Sequence, residues 1–158
     1  PTRRSSDLVY EPQLLQAGRS IQLAGGPRPI SAVGYLADRG YGFMTDDGIA
    51  LEDRRKPDIL RRDFVQGETP VEFGVELPAG KYDLLVISGD EEEPSYTELA
   101  VTSSGIYAQG EELSAGAYQY KALPLIHSRD GILKLSVSTK PNSKWKINAI
   151  FINKRNCI

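Results

Sequence analysis

The feature that most constrains the fold is a period of two in hydrophobicity that recurs in short segments. Residues 71–77 (VEFGVEL) alternate apolar and polar side chains, and residues 131–138 (GILKLSVS) do so again. Successive side chains of a strand point to opposite faces, so this pattern predicts strands with one buried face. Residues 82–88 contain the unbroken apolar run LLVI, which is typical of a central strand covered on both faces.

Other segments extend the same pattern, with Gly, Pro, Asp and Ser between them. Further strands are predicted at 97–102 and 145–152, and weaker ones at 20–23, 49–52, 64–66, 105–108 and 118–125. The one helical candidate is a short turn over 11–16, which Gly18 ends. Many short strands and few helical signals indicate an all-β fold with two facing antiparallel sheets.

Size and charge exclude several classes of function. A chain of 158 residues fits one domain, which we place at 19–154 between an N-terminal extension (1–18) and a tail (155–158). The net charge of −2 gives no basic surface for nucleic acid, and no apolar run approaches the ~20 residues of a membrane span. With one cysteine (Cys157) and one histidine (His127), neither a disulfide framework nor a Cys- or His-rich metal site is expected.

Four motifs in order resemble those of one family. They are Gly40-Tyr41-Gly42-Phe43, Arg62-Asp63-Phe64-Val65, the hairpin from Val75 to Tyr82 followed by Ser88-Gly89-Asp90, and Ile147-Asn148-Ala149-Ile150-Phe151-Ile152. The sequence is similar to galactose-binding-like, malectin-related modules that accompany rhamnogalacturonan acetylesterases and polysaccharide lyases. The resemblance covers about 20–154 and implies a jelly-roll sandwich with a supporting or sugar-binding role. The early strand departs from the family pattern, with Ile21-Gln22-Leu23-Ala24-Gly25-Gly26 where the family has an FDFG segment.

Candidate binding residues are aromatic rings and planar polar groups. A ring covers the apolar face of a pyranose, and Arg, Asp or Asn side chains bond its hydroxyls. Five residues are predicted to contact sugar: Tyr41, Arg62, Asp63, Tyr96 and Trp145. Tyr41 and Trp145 are assigned stacking, and Arg62 and Asp63 hydrogen bonding. The alternatives are that the two rings are buried and that the Arg61-Arg62-Asp63 segment makes structural ion pairs.

Two further features have structural explanations. The acidic run Asp90 to Glu93 matches no defined Ca²⁺ loop, so we predict a solvated loop and no cofactor, with a structural Ca²⁺ ion as the alternative. His127 stands at the junction between a strand and a turn. No Gly-Asp-Ser nucleophile block is present, since Glu91 follows Gly89-Asp90.

The sequence therefore predicts a non-catalytic module that binds plant or algal cell-wall oligo- or polysaccharide. Its expected partner is a covalently linked catalytic domain in the parent protein, at an extracellular or periplasmic location. One alternative is a structural accessory domain, with buried aromatic residues and an apolar patch on a sheet face. A second is a small β-sandwich polysaccharide lyase, with a groove that holds His127 near Tyr and Arg.

Overall fold

The computed structural model describes residues 13–17, 28–30, 41–44, 48–55, 57–58, 61–128 and 131–155, which contain thirteen strands and one 3₁₀ turn, Thr102–Ser104. The first seven strands are β1 Gln13–Ala17, β2 Arg28–Ile30, β3 Tyr41–Phe43, β4 Ala50–Asp53, β5 Asp63–Gly67, β6 Val71–Glu76 and β7 Gly80–Gly89. The other six are β8 Glu98–Val101, β9 Ile106–Ala108, β10 Tyr118–Ser128, β11 Ile132–Ser138, β12 Trp145–Ile147 and β13 Ala149–Lys154. The predicted all-β class is confirmed.

The strands form two five-stranded sheets and one small sheet. Sheet A has the order β10-β7-β13-β1-β2, sheet B has the order β3-β6-β11-β8-β9, and sheet C has the order β12-β5-β4. All pairs are antiparallel except β1 with β2. Sheets A and B enclose the core, and sheet C contributes to one part of it. The sequence predicted the two facing sheets but not sheet C.

The period-two segments form the walls of the core. Phe73 and Val75 of β6 are buried, and they lie opposite Leu135 and Leu133 of β11. Directly opposed residues share a face, so both strands turn their apolar side chains inward together. The apolar run of β7 was expected to be covered on both faces, but its burial alternates. Leu84 and Val86 are core residues, whereas the intervening Leu85 is only half-buried.

The structure corrects the N-terminal boundary. Gln13–Ala17 is a strand that pairs with β13, so the helical turn predicted over 11–16 is wrong where the chain is described. The sandwich therefore begins before residue 18. The predicted strand at 20–23, residues 1–12 and Cys157 lie outside the described residues.

Four aromatic rings fill the part of the core near sheet C. The Phe43 ring lies 5.1 Å from the Phe73 ring in an edge-to-face arrangement and 5.9 Å from Trp145. Tyr41 lies 6.2 Å from Phe73. Aromatic residues bury large areas and add specific contacts between rings, so this group is a main anchor between sheets B and C.

The edge strand β10 contains a bulge. Its pairing with β7 shifts between Leu123 and Ile126, and Leu125 has a φ of 58°. Pro124 has no backbone N–H, and a proline within a sheet is confined to edges and bulges. The N–H of Leu125 turns aside and donates to Asp83 Oδ1 at 3.1 Å. The bulge therefore divides β10 into two paired segments.

Candidate functional site

Two of the predicted contact residues are buried in the core. The side chain of Tyr41 is 2% exposed and that of Trp145 is 0% exposed. The Trp145 Nε1–H donates to the carbonyl of Thr69 at 2.8 Å, which satisfies the polar group of the indole. A ring without an exposed face offers no surface to a pyranose, so the stacking role predicted for these two residues is corrected to a core role.

Arg62 and Asp63 lie where β5 begins, next to the end of β4. The Arg62 guanidinium bonds both carboxylate oxygens of Asp53, at 3.0 and 2.9 Å. This bidentate bond lowers the pKa of Asp53. Asp63 is 4% exposed, and its Oδ1 lies 4.0 Å from Arg62 Nε. The arrangement matches the alternative of a structural ion pair, because the fork of Arg62 is already occupied.

Tyr96 is half-buried and lies two residues before β8. Its hydroxyl donates to Glu98 Oε1 at 3.0 Å, and this hydrogen bond raises the pKa of Tyr96. The Nζ of Lys140 lies 4.9 Å from the ring centroid. The backbone of Gly110 packs so closely on the ring that a Cβ there would be 2.6 Å from Cε1. Tyr96 is therefore a partly covered ring with a committed hydroxyl.

The acidic loop is held by basic side chains of the protein itself. Asp90 is fully buried and bonds the buried Nζ of Lys146, and its two oxygens also accept from Arg54 at 3.0 and 3.1 Å. Burial raises the pKa of Asp90, but the hydrogen bonds from Arg54 and Lys146 outweigh this and lower it overall. Glu93 lies 3.6 Å from Lys146 Nζ. The solvated loop that the sequence predicts is therefore wrong for Asp90, and the structural Ca²⁺ ion stays an alternative. In the described ranges, no three His, Cys, Asp or Glu side chains are placed to share a metal ion.

An exposed aromatic residue stands at the start of edge strand β10, beside Arg61. Tyr120 is 51% exposed, and Tyr118, two residues earlier, lies on the same face of the strand. The Arg61 guanidinium lies over the Tyr118 ring, 4.9 Å from its centroid. We name the group of Asp58, Arg61, Glu91, Tyr118 and Tyr120 the aromatic edge.

Hydrogen bonds fix the geometry of the aromatic edge. Asp58 Oδ2 accepts from Nε and Nη2 of Arg61, at 2.8 and 2.6 Å. This bond is the main cause of the raised pKa of Arg61, and the hydroxyls of Tyr120 and Tyr118 also contribute. Tyr118 donates to Glu91 Oε2 at 2.9 Å. Burial, and then the Glu91 hydrogen bond, raise the pKa of Tyr118, so its hydroxyl stays protonated.

Asn148, within the closing motif of the sequence, ties this region to the sheets. Its side chain is fully buried, and Nδ2 donates to the carbonyls of Arg61 and Asp63 at 3.0 and 3.1 Å. Its backbone N–H donates to the carbonyl of Ile87 in β7 at 2.8 Å. One residue thus sets the position of the Arg61 backbone against sheet A, the sheet that carries Tyr120.

Comparison by sequence identifies no relative. No protein-family model matches the chain, and no curated protein matches it. Comparison of structures gives a different result. Protein YxiM of Bacillus subtilis superimposes with a TM-score of 0.67 at 22% identity, over 92% of this chain and 40% of YxiM. The chain shares its fold with YxiM.

Two proteins of other kinds share the fold as well. Bacteroides uniformis β-glucuronidase 2 matches with a TM-score of 0.70 at 11% identity, over 96% of this chain and 19% of the enzyme. The ANX1 ectodomain of Arabidopsis thaliana matches with a TM-score of 0.66 at 13% identity, over 92% of this chain and 42% of that chain. The chain spans less than half the length of these three proteins. The described residues contain no helix with the length and apolarity needed to cross a membrane.

The aromatic edge contains none of the five predicted contact residues. The sequence signal for it was a pair of tyrosines two positions apart in a predicted strand, together with an Arg directly before Arg62. His127 lies near the far end of β10, about 30 Å from Tyr118 for an extended strand, and its backbone N–H donates to Ser104 Oγ there. His127 therefore lies apart from the aromatic edge.

Proposed function

We propose that the chain is a non-catalytic carbohydrate-binding module that binds a glycan at the aromatic edge. The observation that carries this proposal is the half-exposed ring of Tyr120 on an edge strand, beside an arginine that Asp58 holds in place. Protein sites for sugars combine a ring for the apolar face of the pyranose with a few convergent polar groups for its hydroxyls. The aromatic edge provides both in a fixed arrangement.

Each residue of the aromatic edge has a separate role in this proposal. Tyr120 stacks on a sugar ring. Asp58 takes the Nε and Nη2 donors of Arg61. In the described part of the chain no residue accepts from Nη1, which is left to donate to sugar hydroxyls. Glu91 has one oxygen bonded to Tyr118 and a second that can accept from a hydroxyl.

The context of the module is part of the proposal. The glycan is plant or algal cell-wall polysaccharide, and a covalently linked catalytic domain degrades it outside the cell or in the periplasm. Three facts support this context: the chain spans a fraction of each structural relative, one relative is a β-glucuronidase, and another is an ectodomain. The module would keep the catalytic domain near its insoluble substrate.

The test is a binding titration with a matched pair of variants. Tyr120→Ala removes the proposed platform, and Tyr107→Ala removes another tyrosine that is 62% exposed but lies on β9, near Glu98. Calorimetry with pectic, algal and hemicellulosic oligosaccharides should show binding that Tyr120→Ala weakens about tenfold, the effect of ~1.4 kcal/mol. Tyr107→Ala should bind like the wild type. Equal affinity of all three proteins for a glycan would remove the aromatic edge from the proposal.

A specific observation favours the accessory-domain alternative as a second candidate. The outward face of sheet A carries Ala122, Leu85 and Phe151 as neighbours in register across three strands. Ala122 is exposed and the other two are half-buried. An apolar sheet face of this kind is suited to packing against a neighbouring domain. A module that binds no glycan in the titration, yet is stabilised when joined to its natural neighbour, would support this candidate.

A further inference from the structure

A second face of the molecule, on sheet C, carries polar side chains in register. Gln66 lies opposite Lys146 on one side and Ala50 on the other. Directly opposed residues in antiparallel strands share a face. Their face is opposite to that of Val65, Trp145 and Ile147, which belong to the core. Lys146 is fully buried on this face, where it bonds Asp90, so the surface that reaches solvent is the end near Ala50 and Gln66.

This surface contains a cavity of about 230 Å³, which we name the polar groove. Its lining includes Ala50, Gln66, Gly67, Glu68, Thr69 and Lys144. A neighbouring cavity of about 310 Å³ shares Glu68 and is otherwise lined by residues 139–143. Sites for drug-sized ligands run from ~300 to 1,000 Å³, so each cavity has room for a smaller unit, with Glu68 between them.

Among the described residues, Gln66 Oε1 and the charges of Glu68 and Lys144 have no partner. Gln66 is 8% exposed, and no described residue donates a hydrogen bond to its Oε1. Within the described chain, no acidic side chain lies within ion-pair distance of Lys144, and no basic one lies within that distance of Glu68. A buried acceptor without a donor is costly, and proteins retain such groups where a ligand or water completes them. The groove thus contains unused hydrogen-bonding capacity.

The floor of the groove brings a ligand close to the single tryptophan. The ring of Trp145 lies directly beneath Gly67, so that a Cβ at residue 67 would be 2.7 Å from Cζ2 of the indole. Only backbone separates the groove from the ring at this point. Occupation of the groove should therefore alter the fluorescence of Trp145.

The chemistry of the groove selects a class of ligand. The Glu68 carboxylate accepts hydrogen bonds, whereas Lys144 Nζ donates them and the Thr69 hydroxyl does either. The charges of Glu68 and Lys144 cancel, and Glu68 repels anions. A neutral molecule with several adjacent hydroxyls satisfies all three groups. We infer that the polar groove is a second carbohydrate site, which holds two consecutive units of a neutral glycan on either side of Glu68.

This inference rests on the proposed function for the class of ligand, but it uses none of the residues of the aromatic edge. The two sites are therefore separable by mutation. The double variant Glu68→Gln/Lys144→Met removes both charges of the groove while keeping side-chain size. Glu76→Gln, an exposed substitution in β6 outside the groove, is the matched control.

The experiment titrates neutral xylo-, manno-, cello- and galacto-oligosaccharides, and galacturonate oligomers, by calorimetry and Trp145 fluorescence. The wild type should bind two short neutral oligosaccharides per chain, and the fluorescence change should follow one of them. The groove double variant should lose that change and bind at this site at least tenfold more weakly. Glu76→Gln should behave as wild type. Thermal melts check that every variant is folded.

The outcomes separate the two hypotheses. Binding that Tyr120→Ala removes but the groove variant leaves intact would overturn the groove site and support the aromatic edge. Binding that only the groove variant removes would support the groove and overturn the edge. Preference of the groove for galacturonate over neutral sugar would also overturn the inference, because Glu68 and Lys144 predict the opposite. Absence of binding to every oligosaccharide would overturn both.

Discussion

The buried pair of Asp90 and Lys146 gives the sharpest prediction for stability. Lys146→Met keeps the length of the side chain but removes the ammonium that contacts Asp90. Breaking a buried ion pair by removal of one partner costs ~3–5 kcal/mol, because the other charge is left without compensation. Arg54 still bonds both oxygens of Asp90 in this variant, so we expect the lower end, about 3 kcal/mol.

The reciprocal variant, Asp90→Asn, should be less stable than Lys146→Met. Asp90→Asn leaves the ammonium of Lys146 buried, with Glu93 at 3.6 Å as its remaining carboxylate. The side chain of Glu93 is 52% exposed, and solvent weakens its attraction for the ammonium. We therefore expect a cost of about 4 kcal/mol for Asp90→Asn, nearer the upper end of the range for a broken buried pair.

Urea unfolding measures both effects and their coupling. With a slope of ~2 kcal/mol per molar urea, the midpoint should fall by about 1.5 M for Lys146→Met and about 2 M for Asp90→Asn. The double variant Asp90→Asn/Lys146→Met should cost less than the sum of the single variants, since neither charge is then stranded. Additive costs, or a smaller cost for Asp90→Asn than for Lys146→Met, would refute the reasoning.

Three further outcomes are expected. The pKa of Asp90 is lowered in the folded protein. Its contribution to stability is therefore present above the unfolded pKa of ~3.9 and is lost as the pH falls through the lower folded value. In unfolding curves recorded at several pH values, Asp90→Asn should reduce this loss of stability at acid pH. Trp145 should show blue-shifted emission that acrylamide quenches weakly until the protein unfolds; strong quenching of the native protein would contradict its burial. Asn148→Ala should lower the free energy of unfolding by about 1–3 kcal/mol. It should also weaken glycan binding, because Arg61 loses the hydrogen bond that fixes its backbone. An unchanged affinity in calorimetry would show that Asn148 does not position the binding site.

The sequence predicted those parts of the fold that local pattern determines. Residues 71–77 and 131–138 showed their period of two directly, and the structure places both in sheet B. Gln13–Ala17 was missed because two adjacent leucines fit a helical turn as well as a strand. Pairing with β13 decides between them, and that partner is more than a hundred residues away.

The candidate site was predicted less well, because burial and pairing of side chains are tertiary properties. A tyrosine between glycines and a tryptophan after a loop fit a stacking platform and a core plug equally, and packing against Phe43 and Phe73 decides for the core. Asp90 looked like part of a solvated acidic run, since nothing local shows that Lys146 bonds it from 56 residues away. Arg61 and Arg62 are neighbours in sequence, yet only Arg61 reaches an aromatic ring at the edge.

The bulge in β10 has a consequence for how copies of the domain behave together. Unpaired edge strands act as templates for another chain, and aggregation starts from long, regular edges. In the described chain, the edges of sheet B are only three residues each, and β10, the long edge of sheet A, is interrupted at Pro124 and Leu125. Under the proposed function, many copies bound along one polysaccharide would be crowded at high local concentration. Because these edge strands are short or interrupted, neighbouring copies could lie close together without pairing their strands into a common sheet.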